Sequence, residues 1–369
     1  MSALRFDRGA ELFSLTRQDG SQAGSSPAAA LGRLRRLALG SVLFSLLWLL
    51  ESCATQQLHN LAAFAPPTEA QRSDFDVLTQ HDNAARTGAN LFETRLEPEK
   101  VASPSFQRLF QWSVDGQIYG QPLYLSQVVV GNRTMNMVIV TTMNNSVYAF
   151  EAPDAGSDQQ PSPYPLWQVD KRTLGAPLLF DYFPMKWWIL GFNIKPSIGI
   201  VSTPVIDRQL GLVYVTAKSG SGGWFFGLGR HIHYKLFAIE FRTGKVKPGV
   251  EIAAEGKDAT GAVVAKFDAS RELQRAGLLE ANGQIYLAFA SHQDSTPYHG
   301  WVLAYDAKSL AQTGVYCTTC AHVRENDCDA SCEGGIWQAG GGPVADRAGN
   351  IYVMTGNGTF DREDRKSVV

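Results

Sequence analysis

The side chains of this chain that could do chemistry gather in its last third. Four cysteines stand as Cys317-x2-Cys320-x7-Cys328-x3-Cys332. Thiols at such intervals either close disulfides or, as thiolates, hold a soft ion such as zinc. The set lacks the paired C-x2-C knuckles of common structural zinc sites. Two disulfides stapling a polar loop are therefore the expectation, and no metal is assigned. Spacing does not select the pairing. Cys317-Thr318-Thr319-Cys320-Ala321-His322 fails as a haem attachment signal, because the histidine must follow the second cysteine directly. His292, Asp294 and His299 lie upstream of this cluster, and Trp337, Gln338 and Asn357 downstream. Imidazole and carboxylate together can bind a metal or move a proton. The same groups also serve turn hydrogen bonding and solvation. These six residues are the ligand-binding candidates. No catalytic residue is assigned, since G-x-S-x-G, a Walker loop and H-E-x-x-H are all absent.

These residues sit between short runs rich in Val, Ile, Tyr and Phe. Gly, Asn and Asp turns separate the runs, and the chain holds 35 Gly and 17 Pro. That pattern predicts an all-β fold. No amphipathic helix of globular length is visible. Three runs end alike: Val147-Tyr148-Ala149-Phe150-Glu151, Leu236-Phe237-Ala238-Ile239-Glu240 and Val302-Leu303-Ala304-Tyr305-Asp306. The small Ala suits a close contact between sheets. The acid and a following hydroxyl (Thr243, Ser309) can bond turn amides, and Gly244 supplies a positive φ. A second element also recurs: Gln121-Pro122-Leu123-Tyr124, Thr203-Pro204-Val205-Ile206-Asp207 and Gly342-Pro343-Val344-Ala345-Asp346. The unit is a Pro-containing strand, a turn, an apolar strand, a loop, an Ala-strand and an acidic turn. A sheet of this kind cannot bury both faces alone, so stacked repeats around an axis, a β-propeller, are expected. A β-sandwich is the alternative. Aromatic insertions at 173–197 and 224–226 either cover a blade edge or present a membrane- or partner-facing patch.

The ordered run of motifs resembles the quinoprotein-like (pyrroloquinoline quinone repeat) β-propeller family, and most of all exported bacterial members of it. The resemblance rests on His81-Asp82-Asn83-Ala84-Ala85-Arg86-Thr87-Gly88, on Gly116-Gln117-Ile118-Tyr119-Gly120-Gln121-Pro122, on Pro297-Tyr298-His299-Gly300-Trp301 and on Gly335-Ile336-Trp337 with Thr355-Gly356-Asn357-Gly358. It implies four-stranded antiparallel blades, of which about four are expected within 74–363, an incomplete propeller whose ring a C-terminally longer protein would close. Residues 364–369 read like a translated sequencing adapter. Related quinoprotein dehydrogenases hold the quinone between a Trp and an adjacent-cysteine disulfide, beside Ca²⁺ and an Asp base. This chain has no Cys-Cys pair and no assignable calcium set. The resemblance therefore establishes no cofactor, and pyrroloquinoline quinone with Ca²⁺ stays the alternative. Asp82 and Arg86 read as a structural pair.

The amino terminus differs in kind. Arg33, Arg35 and Arg36 precede an uncharged apolar run at 37–50, then Glu51-Ser52-Cys53-Ala54. A basic region, an apolar region and small residues describe an export signal over 1–54. The run is shorter than the roughly 20 residues of a spanning helix. Cys53 is a lipidation candidate, while Ser52-Cys53-Ala54 also suits plain cleavage, and an uncleaved anchor is the third option. A polar linker, 55–73, follows. The formal net charge of -2 gives no footprint for nucleic acid. The expected role is a non-catalytic binding scaffold of the cell envelope, either periplasmic, membrane-anchored or extracellular. Its partners would be an envelope protein, a polysaccharide or a small ligand. The alternative is a quinone- or metal-dependent oxidoreductase whose site is completed by missing blades.

Overall fold

The computed structural model describes residues 2–4, 76–90, 96–108, 110–153, 160–178, 194–222, 230–292, 294, 296–320 and 333–358. Cys53, Cys328, Cys332, the 37–50 run and the aromatic cores of the two insertions lie outside them. Among the described residues no helix is long and apolar enough to cross a membrane.

The fold is nearly all β, about 4% helical. Strands β2 (Leu123–Val130), β3 (Arg133–Thr142), β4 (Ser146–Ala152) and β5 (Trp167–Val169) form a first sheet in chain order. Strands β6 (Val205–Asp207), β7 (Leu212–Gly222), β8 (Arg230–Glu240) and β9 (Val250–Glu251) form a second. The third joins β13 (Leu279–Ala281), β14 (Gln284–Ser291), β15 (Trp301–Asp306) and β16 (Gln312–Cys317), with β12 (Glu272–Leu273) also on β14. A fourth, smaller sheet contains β18 (Val344–Ala345) and β19 (Ile351–Val353), against which β1 (Ser2–Leu4) also pairs. Every pairing within these sheets is antiparallel. The turns α1 (Pro98–Val101) and α2 (Lys171–Leu174) are the helices of the described residues.

The apolar runs have a physical explanation in how these sheets stack. In β7, Val213 and Val215 join the core shared with the first sheet, among Ile139, Val147 and Ala149. Leu212 and Tyr214, one position out of phase, join the core shared with the third, among Ile285, Leu287 and Leu303. In β14 the alternation repeats, since Tyr286 and Ala288 belong to the core that holds Ala345 and Ile351 of the fourth. Successive residues of a strand point to opposite faces. A strand buried on both faces therefore reads as continuous apolar sequence. The second and third sheets each stand between two others, as blades do.

The repeated endings behave as their chemistry predicts. Ala149, Ala238 and Ala304 are buried. Asp306 Oδ1 accepts from the Lys308 and Ser309 amides and from Ser309 Oγ. Those bonds hold its carboxyl below the ordinary carboxylate range. In the second sheet Thr243 Oγ1 donates to Glu240 Oε2 at 3.0 Å, and Gly244 turns at φ 73°. An added Cβ on Gly244 would meet the Trp167 ring at 2.8 Å.

Candidate functional site

Two polar centres lie where the sheets meet. The first is built by residues 76–88. Val77 bridges to Tyr124 of the first sheet, Leu78 O accepts from Ile206 N of the second at 2.8 Å, and Ala84 O accepts from Ala345 N of the fourth at 3.1 Å. Thr79 Oγ1 donates to Leu278 O beside the third at 3.1 Å. Gln80 Oε1 accepts from Thr203 Oγ1, which accepts the Gln121 amide in turn. Arg86 is structural, and its described partners lie on several segments of the chain. Nε donates to Pro343 O at 3.2 Å, Nη1 to Thr79 Oγ1 and Gln80 O, and Nη2 to Leu278 O at 2.8 Å and Gly277 O at 3.5 Å. Burial lowers its pKa to about 10, which still leaves it charged at neutral pH. Close approach needs missing side chains here: a Cβ on Gly342 would lie 2.7 Å from Gly277 O and 3.0 Å from Arg86 Nη2.

The second centre is a buried cluster of residues within β7, on β12 and just past the end of β14. Lys218 is wholly buried, and its Nζ donates to Glu272 O at 2.9 Å. The same nitrogen lies 2.6 Å from His292 Nε2 and 5.2 Å from the Tyr234 ring centre. An ammonium can only donate, so Nε2 is the acceptor in that contact. Glu272 Oε1 accepts from Trp301 Nε1 at 3.2 Å, whereas its buried Oε2 has no hydrogen-bond partner. Gln274 Oε1 accepts from Ser202 Oγ at 3.0 Å and from Thr216 Oγ1. Desolvation raises the Glu272 carboxyl well above its ordinary value, against smaller opposing contributions from Trp301, the His299 amide and the Lys218 charge.

That shift fixes a pH dependence. The unfolded carboxyl loses its proton near 4.5, while the folded one keeps it to higher pH. Between those two values the folded state binds more protons, so stability falls as pH rises through the window. Glu272→Gln removes the titration. The variant is expected to gain stability relative to the parent as pH rises from about 4.5. Chemical denaturation across pH checks this, and parallel curves for the two proteins would rule it out.

The six candidates divide into separate places. His292 is sealed in the Lys218 cluster. Asp294 and Asn357 meet at the surface, with Asn357 Nδ2 donating to Asp294 Oδ1 at 2.7 Å. Tyr298 Oη reaches the same oxygen at 3.4 Å, and its ring stands edge-on to Trp337 with centroids 6.5 Å apart. The half-buried Trp337 keeps its Nε1 without a hydrogen-bond partner. Gln338 folds back on its own turn, donating to Gly342 O at 3.1 Å. His299 is buried with its Nδ1 2.8 Å from Thr319 Oγ1, and burial lowers its pKa. Beside it Cys317 and Cys320 are joined by a disulfide.

Lys218, Glu272 and Gln274 are absent from the sequence-derived set. Lys218 follows the apolar run 212–217, and its charge marks the expected strand end because lysine is seldom buried unpaired. The strand in fact continues through it to Gly222. Buried, mutually coupled titratable groups are a feature of active sites and of internal structural networks alike. Here Lys218, Glu272 and His292 are each at most 4% exposed, so the described residues leave them little room to meet a substrate.

No protein-family model matches the sequence, and no curated protein matches it. Among solved structures the chain is similar to the quinohemoprotein alcohol dehydrogenase from Comamonas testosteroni, at a TM-score of 0.31 and 11% identity, over 65% of this chain. The matched part amounts to 38% of that enzyme's chain, and a likeness of this size carries no conclusion about fold or activity.

Proposed function

We propose that this chain is an exported quinoprotein-like β-propeller that acts as a non-catalytic scaffold of the cell envelope, binding a protein, polysaccharide or small ligand. One observation carries the reading: the side chains best able to do chemistry are spent on the fold. Arg86 is bound to backbone carbonyls and Thr79, and Lys218, His292 and Glu272 are closed inside. The stacking of the four sheets in sequence, the second and third each between two others, supports the propeller arrangement, which buries both blade faces. The polar groups left at the surface, Asp294 and Asn357 beside Trp337, make the natural contact face for a ligand.

The second reading is a quinone- or metal-dependent oxidoreductase. What favours it is the buried lysine–histidine–glutamate cluster itself, since shifted acid groups collect at reaction centres. Incubation of the purified protein with pyrroloquinoline quinone and Ca²⁺, followed by an artificial electron-acceptor dye and a panel of alcohols and sugars, separates the two. The scaffold reading expects no turnover above free quinone. Substrate-dependent dye reduction would sink it.

A further inference from the structure

The disulfide Cys317–Cys320 lies beside a third ligand-type side chain. A ring nitrogen of His299 and the two sulfurs all lie within 4.8 Å of one another. All three residues are buried or nearly so: Cys320 is 1% exposed, His299 6% and Cys317 9%. The intervening Thr318 and Thr319 are only half-buried, which gives the loop a solvent side. Two sulfurs and an imidazole are the donor set that zinc-class soft ions select.

The surroundings are shaped for this loop. A Cβ on Gly256 in β10 (Glu255–Lys257) would run into Cys320 Sγ. A Cβ on Gly334, in β17 (Glu333–Gly335), would lie 2.6 Å from Thr318 Oγ1, and one on Gly300 2.7 Å from the same oxygen. Three backbones thus close on the Cys-Thr-Thr-Cys segment without side chains of their own. Thr318 Oγ1 donates to Gly334 O at 2.9 Å and Thr318 N to Gly300 O at 2.9 Å. The Thr319 hydroxyl at His299 Nδ1 fixes the ring. Such an outer contact orients an imidazole ligand and sets its tautomer.

We infer that Cys317, Cys320 and His299 form a redox-gated site for one soft divalent ion of the zinc class. With the thiols reduced and deprotonated, the two thiolates and the imidazole hold the ion, and a water completes the tetrahedron. Oxidation closes the site by thiol–disulfide exchange. The two thiolate sulfurs give up two electrons and join each other, and the disulfide of an exchange partner accepts those electrons and leaves as two thiolates. The ion departs with its 2+ charge, so charge and atoms balance. The oxidised form, with Cys317 bonded to Cys320, has no sulfur ligand to offer.

The unvaried full chain tests this first. It is reduced anaerobically with a phosphine, mixed with Zn²⁺, alkylated with iodoacetamide and mapped by peptide mass spectrometry. Zinc is expected to slow labelling of Cys317 and Cys320 at least tenfold. Equal labelling of that pair with and without zinc, or protection confined to Cys328 and Cys332, would overturn the assignment. Co²⁺ titration supplies the second measurement. One equivalent is expected to give thiolate-to-cobalt absorption in the reduced chain and in a C328S/C332S variant, and none in the oxidised chain. His299→Ala should weaken that binding at least tenfold. Unchanged cobalt affinity in His299→Ala, or its loss in C328S/C332S, would remove His299 or the Cys317–Cys320 pair from the site.

Discussion

Replacing Arg86 by methionine is expected to lower the stability of the protein by several kcal/mol, on the order of 4. The guanidinium donates to Pro343 O, Gln80 O, Leu278 O, Gly277 O and Thr79 Oγ1. A hydrogen bond from a charged donor contributes about 1.5–3 kcal/mol, and an acceptor stranded in the interior costs about 1–3. These effects do not add fully, yet methionine strands several carbonyls at once. The loss is also non-local, because the Gly277, Leu278 and Pro343 carbonyls belong to segments that enter the third and fourth sheets. Arg86→Lys is expected to recover less than half of the stability, since an ammonium cannot spread donors across a planar fork. Urea denaturation measures both variants. A loss below about 1 kcal/mol for Arg86→Met, a value typical of exposed sites, would mean that residues 76–88 do not tie the sheets together.

Trp301→Ala should cost a similar amount, about 3–5 kcal/mol, through the cavity left by a large aromatic side chain. Trp301 is wholly buried in the core between the second and third sheets. It also donates to Glu272 and lies 6.0 Å from the His299 ring. Trp301→Phe keeps most of the apolar contact but withdraws the N–H. Glu272 then has neither carboxylate oxygen bonded to a side chain, which is expected to cost roughly 1–2 kcal/mol and to raise the Glu272 pKa further. Thermal unfolding of the two variants checks the order. Equal losses for alanine and phenylalanine would show that the hydrogen bond, and not the packing, carries the effect.

The strands and turns were legible because their causes are local. Apolar runs mark β4, β7, β14 and β15 since these strands are buried on both faces. Asp306 with Ser309, and Glu240 with Thr243 and Gly244, announce their turns by residue type. The Pro-containing elements at 122, 204 and 343 enter β2, β6 and β18 as their repetition implies. Long-range function was not legible to the same degree. Arg86 stands in a recognisable motif, but its acceptors are main-chain carbonyls as far away as Pro343, and a carbonyl leaves no mark in sequence. The Lys218 cluster hid for a different reason. A charged residue at the end of an apolar run looks like a strand end, and only the packing of β7 against β12 and β14 reveals that it is inside. His292 has ligand-type chemistry, but spacing alone does not separate it from Asp294, two residues on and at the surface.

We propose that the polar groups of this fold hold the sheets and do not run a quinone reaction. Equilibrium dialysis of the purified protein against pyrroloquinoline quinone in the presence of Ca²⁺ tests it most directly. The account predicts no saturable uptake. It would be contradicted by one quinone bound per chain, dependent on Ca²⁺ and lost in Glu272→Gln.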